Sequence, residues 1–232
     1  MPIPPAFGSA AQVARASGLA RALNEIGLKV ATLGRPVQTK LPCGVTIGVS
    51  RDALDAGTIL NVPRLKAHGQ MRVTAGVKNL FGCVCGARKA LAHNRLGDAP
   101  ERFVSMLVDL AEILPHGATL LDAVHPMHKS GPIKGEPYPL GMLAASTSVH
   151  AVDTAVYDLL NLTPADVSLW AEAIRRDLPG AQPGDIRYSM EQPDGFDASN
   201  MILPDTLDPI RFDPLRVVKG RLKSLKKRLL GD

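Results

Sequence analysis

Residues 56–97 contain no aspartate or glutamate. The same stretch carries Arg64, Lys66, Arg72, Lys78, Arg88, Lys89 and Arg95, together with His68 and His93. Cations without local carboxylates need solvent, acids from elsewhere in the fold, or an anionic ligand. Aromatics are also scarce, at 4%, which argues against stacking platforms for single-stranded nucleic acid. Nucleic acid is therefore not an expected partner. Cysteine occurs three times, at Cys43, Cys83 and Cys85. An odd count gives no disulfide framework, and a reducing, cytoplasmic setting follows. One Cys-x-Cys does not supply the four thiolates of a usual iron–sulfur or zinc site. Cys83 and Cys85, set beside glycines, read as a close-packed turn. No run approaches the roughly 20 apolar residues that cross a bilayer. The start, MPIPPAFGSAAQ, lacks the basic and apolar regions of a signal peptide.

What is present is a globular composition, 45% hydrophobic and 21% charged over 232 residues. The formal net charge of +5 is uneven. Residues 211–232 hold eight Lys or Arg and two Asp, a net of +6, so the remainder is close to neutral. The expected organisation is a single α/β domain over 1–210 and a basic C-terminal helix over 211–232. In that helix Asp213 caps, Pro214 takes the first turn, and Leu215, Val218, Leu222, Leu225 and Leu229 form a stripe. A basic amphipathic helix over 213–230 suits an anionic membrane surface or a partner's groove, or packs on its own domain.

Apolar spacing predicts a helix over 11–27, stopped by Gly27, then a strand at LKVATL. GVTIGVS reads as a strand, RDALDA as a short helix, and TILNV as a strand buried on both faces. A helix follows over 70–80, and another over 100–114 with Phe103, Leu107, Leu110 and Leu114 as its stripe. ATLLDAV and MLAAS are strands, and VHAVDTAVYDLLNL and PADVSLWAEAIRRD are helices. This alternation predicts an α/β fold, a mainly parallel sheet flanked by helices with Rossmann-like layering.

In such sheets, sites form beyond the carboxyl ends of strands. Asn61 to His68 follows TILNV, and Asp122 to Gly141 follows ATLLDAV. Alternation puts Lys66 and His68 on one side of the chain. A helix over 70–80 would put Thr74 and Lys78 on one face, its start near Gly69 and Gln70 offering N–H groups to an anion. The bland alternative is that the lysines pair with Asp109, Asp122 or Asp153 and tie the fold together. His68 and His93 suit general acid–base roles. His125 and His128, near Asp122 and Glu136, could form a metal half-site, but read better as a polar loop rim, and no metal ligand set is assigned. Asp153, among apolar residues of a helix, needs a partner, for which a lysine would serve. Arg72, Arg88 and Arg95 read as surface charges.

The run NVPRLKAHGQMRVTAGVKNLFGCVCGARKALAH resembles the signature of the domain of unknown function 362 family. Its elements are Asn61, Pro63, Lys66, His68, Thr74, Lys78, Asn79, Phe81, Gly82 and His93. Val108–Leu110, Asp122, Gly131 with Pro132, and Asp153 follow in order. The resemblance covers roughly residues 17–175. Members usually begin with a further βα portion carrying Lys-Pro-Asn, which nothing before Ser17 matches; a shortened form or a late start is expected. Many members carry a ferredoxin-like module with iron–sulfur clusters, whose cysteine series is absent from this sequence.

The expected function is that of a small-molecule enzyme or ligand-binding protein with a site for a phosphate, carboxylate or nucleotide group. His68 and His93 would be its catalytic groups, and Asn61, Lys66, Thr74, Lys78, Asn79, Asp122 and Asp153 its ligand-binding groups. The residues name no cofactor. The resemblance also allows a non-catalytic redox-accessory module, and the basic tail allows a peripheral scaffold at the inner membrane surface.

Overall fold

The computed structural model describes residues 10–85, 100–131 and 135–208. His93, Arg88, Arg95 and the expected helix at 213–230 lie outside the described residues. The chain divides into two compact units, one of residues 35–211 and one that includes residues 10–34. In the latter, the expected single helix over 11–27 is two, α1 (Ala10–Ala16) and α2 (Leu19–Glu25). Gly18 breaks them, with φ of 81°, a conformation that glycine adopts without steric cost. LKVATL is not a strand; residues 28–33 carry no regular structure.

The larger unit opens with an antiparallel hairpin, β1 (Pro36–Lys40) and β2 (Thr46–Ser50). Helix α3 (Arg51–Leu54) follows directly. The main sheet is built around β6 (His116–His128). Strands β3 (Ile59–Asn61) and β4 (Arg64–His68) pair with it in parallel, one after the other along the same edge. Strand β5 (Arg72–Thr74) pairs antiparallel to β4. On the other edge of β6, β7 (Glu136–Pro137) and β8 (Met142–Ser146) run antiparallel. The sheet is thus parallel at its centre and antiparallel at its margins, and the α/β class holds.

The described residues of the unit also form helices α4 (Gly76–Leu80), α5 (Pro100–Ile113), α6 (Val149–Leu159) and α7 (Ser168–Arg175). The stripe of α5 behaves as its spacing predicts: Phe103, Leu107 and Leu110 are buried, each contributing roughly 1.5–3 kcal/mol of apolar transfer. Ser148 caps α6 by accepting the Ala151 N–H at 3.2 Å. On the sheet, Leu65, Ala67, Val73, Leu121 and Ala123 are fully buried.

Two expectations are corrected by this arrangement. First, residues 70–80 are not one helix. The chain turns at Gly69–Met71, forms β5, and only then enters α4. Thr74 therefore lies on a strand and shares no helix face with Lys78. Second, TILNV is buried on one face only. Asn61 is buried, whereas Leu60 is 63% and Val62 57% exposed. Register sets Leu60 opposite Ala118 and Asp122 opposite Leu143, itself 61% exposed. These residues lie on the sheet face away from Leu65 and Leu121.

Candidate functional site

Gly76, Val77 and Asn79 of the basic stretch are held by a buried polar network. Asn61, at the end of β3, donates from Nδ2 to the Gly76 carbonyl and to Thr119 Oγ1, both at 3.1 Å. Its Oδ1 accepts from Asn79 Nδ2 at 2.8 Å. Thr119 Oγ1 also lies 2.8 Å from His116 Nε2. Asp153, on α6, accepts the Gly76 N–H at 2.6 Å and the Val77 N–H at 3.2 Å. The Tyr157 hydroxyl donates to the same carboxylate at 3.4 Å. Burial raises the Asp153 pKa to about 6, and these N–H donors oppose the rise.

The partner of Asp153 is therefore backbone, not a lysine. The expected anion-binding N–H groups at Gly69 and Gln70 are not a helix start either. The helix begins at Gly76, and its first donors are engaged by Asp153.

Asp122 is not at a strand end. Strand β6 continues six residues further, and Asp122 sits opposite Arg64. Its Oδ2 accepts from Arg64 Nε at 2.9 Å. Asp109 is buried and accepts from Arg176 Nη1 at 2.5 Å and from the Cys43 N–H at 2.7 Å. None of the three acids that could have tied down the lysines does so. Burial and the neighbouring Asp109 push the Cys43 thiol up to about 11. Cys83 is part of the core, and the Cys85 N–H donates to Gly48, as a packed turn requires.

Lys66 stands in the middle of β4, half-buried, and has no hydrogen-bond or ion-pair partner among the described residues. Burial lowers its pKa from the ordinary lysine value. Directly across the strand pair is Thr74. Thr74 is 2% exposed and its buried Oγ1 has no hydrogen-bond partner among the described residues. Opposed residues of an antiparallel pair project to the same side. Two residues on, His68 shares that side and faces Arg72 in register. His68 Nδ1 accepts the Gln70 N–H at 3.2 Å. Arg72 is no surface charge: its guanidinium donates to the carbonyls of Asp166 and Pro204, both at 3.0 Å.

The structure thus brings Lys66, Thr74 and His68 together on the β4–β5 pair. Asp122 lies on the same face but is engaged by Arg64. Lys78 is elsewhere: α4 bonds to Asn61, whose side faces away from Lys66, and Lys78 Nζ sits 4.8 Å from the Phe81 ring centroid. His125 is exposed, His128 accepts from the Ile202 N–H at 3.4 Å, and Glu136 pairs with Lys129. Among the described residues no group of three or more His, Cys, Asp or Glu could hold a metal ion. Sequence reasoning passed over His116 and Thr119, whose place in the network rests on pairing across β3 and β6.

The sequence profile of a family described as Domain of unknown function (DUF362) matches residues 4–158. The chain belongs to this family. The match begins ahead of Ser17 and spans Asn61, Lys66, His68, Thr74, Asp122 and Asp153. The chain is also 34% identical over 229 residues to the thylakoid-associated protein sll1697 of Synechocystis sp., covering 98% of this chain and 71% of that protein. No solved structure matches. No helix among the described residues is long and apolar enough to cross a membrane.

Proposed function

We propose that this member of the family binds a small anionic molecule at the β4–β5 pair, with Lys66 supplying charge, Thr74 a hydroxyl donor and His68 a group able to move a proton. One observation carries the reading. Half-buried Lys66 and buried Thr74 stand opposite each other across two strands, and neither side chain has a partner among the described residues. Leaving such groups unmatched costs stability, on the order of 1–3 kcal/mol for a buried polar atom. An anion with acceptor oxygens would satisfy both. Asp109, Asp122 and Asp153 each have other partners, so none of these three carboxylates fills that place.

The test is thermal melting with a panel of sodium salts that includes carboxylates, phosphate and AMP. A ligand of the folded state raises Tm in proportion to its affinity. At least one anion should give a saturable rise in the wild type. Lys66→Met should remove it, and Lys78→Met should leave it in place. A rise that survives Lys66→Met places the site elsewhere, and no rise with any anion ends the reading.

A second reading is favoured by the relative in Synechocystis, a thylakoid-associated protein. Here the net +6 of residues 211–232 would hold the chain at an anionic membrane surface. The full chain should sediment with acidic vesicles, and a chain ending at Asp208 should not. Attraction by charge should weaken with salt, as the Debye length falls from about 10 Å at 0.1 M. Equal sedimentation of the two chains would end this reading.

A further inference from the structure

We infer that the anion taken at Lys66 and Thr74 is a monocarboxylate rather than a phosphoryl group; the inference rests on the anion site proposed above. The argument is a count of charges and donors. Of the cations on β4 and β5, Arg64 is neutralised by Asp122 at 2.9 Å. Arg72 is spent on two carbonyl oxygens and has the Asp166 carboxylate 3.9 Å away. Lys66 alone brings an uncompensated positive charge to that face among the described residues.

One half-buried charge is matched by one negative charge. A phosphate dianion or a nucleotide would leave at least one negative charge in a partly desolvated place without a counter-charge, which is strongly unfavourable. Phosphoryl sites usually add backbone N–H groups at a helix N-terminus or a bidentate guanidinium. Here the N–H groups of Gly76 and Val77 are already bound by Asp153. Both nearby guanidinium groups are likewise engaged.

The donors also fit a carboxylate. Lys66 Nζ and Thr74 Oγ1 can each address one oxygen.

The experiment compares acetate, propionate and pyruvate with inorganic phosphate and AMP by calorimetric titration of the full chain at constant ionic strength. The monocarboxylates should bind saturably and more tightly than phosphate. Lys66→Met should abolish that binding, and Thr74→Val should weaken it about tenfold, as expected for one hydrogen bond to a charged group. Circular dichroism and melting of each variant establish that it is folded. Lys66-dependent binding of phosphate or AMP with none of the carboxylates would overturn the carboxylate assignment and leave the anion site standing. No binding of any anion, or binding that ignores Lys66, would overturn both.

Discussion

The Asp153 carboxylate accepts the Gly76 N–H at 2.6 Å, joining α6 to the first turn of α4. This bond and its companion to Val77 replace the capping side chain that α4 lacks, since Ala75 stands at its N-cap. Removing the acceptor leaves two buried donors unsatisfied. Asp153→Ala should destabilise the protein by about 2 kcal/mol, read from urea unfolding at pH 7.

The same carboxyl gives a pH signature. Its folded pKa is about 6, above the ordinary 3.8. Between those values the native state holds a proton that the unfolded state has lost. The stability that this proton contributes is present below pH 4 and lost as pH rises through 6. Relative to Asp153→Asn, the wild type should therefore lose stability from pH 4 to pH 7. Parallel urea titrations across that range check the sign.

Lys66 predicts a stability–function conflict. Its amine has no partner among the described residues, and burial lowers its pKa. Lys66→Met should stabilise the ligand-free protein by roughly 0.5–1 kcal/mol at pH 7, because the apolar side chain carries no desolvation cost. The advantage should shrink as pH rises toward 10.5, where the wild-type amine sheds its proton. Urea midpoints at pH 7 and pH 10 test this.

Arg176 binds Asp109, which is 1% exposed, and also Glu172. Arg176→Met leaves the Asp109 charge buried with only the Cys43 N–H and thiol as donors. A loss of about 3 kcal/mol is expected in urea unfolding, the usual cost of breaking a buried pair. Asp109→Asn in the same background should recover part of it.

Gly131 lies against β4: its carbonyl accepts the Gly69 N–H at 3.2 Å, and a methyl group there would overlap the Ala67 carbonyl oxygen. That oxygen is strand backbone and cannot move aside. Gly131→Ala should lower Tm and cost about 2 kcal/mol, whereas Gly184→Ala, with open space around it, should not.

The long helices were legible because their stripes repeat: Phe103, Leu107 and Leu110 recur at helical spacing and are buried as read. Residues 69–80 were not. A three-residue strand and a five-residue helix are each too short for a period to show, and β5 opens on Arg72 at φ 61°, which no propensity marks. TILNV illustrates a different limit. A continuous apolar run says that a strand can be covered on both sides, not that it is, and Leu60 faces outward. The basic stretch and the alternation of Lys66 with His68 could be read directly. That Thr74 would stand opposite Lys66 could not, because it depends on where the hairpin turns.

The tether from Asp153 to Gly76 spans 77 residues of chain. During synthesis α4 leaves the ribosome long before α6, so its first turn cannot be closed when it is made. Bringing such distant partners together demands loop closure before any reward, which slows folding. Until α6 arrives, the segment with the Lys-Asn-x-Phe-Gly sequence is without its cap, and the β3–β4 edge is without the helix that Asn61 anchors. Assembly of this region is therefore a late event, set by the second half of the chain.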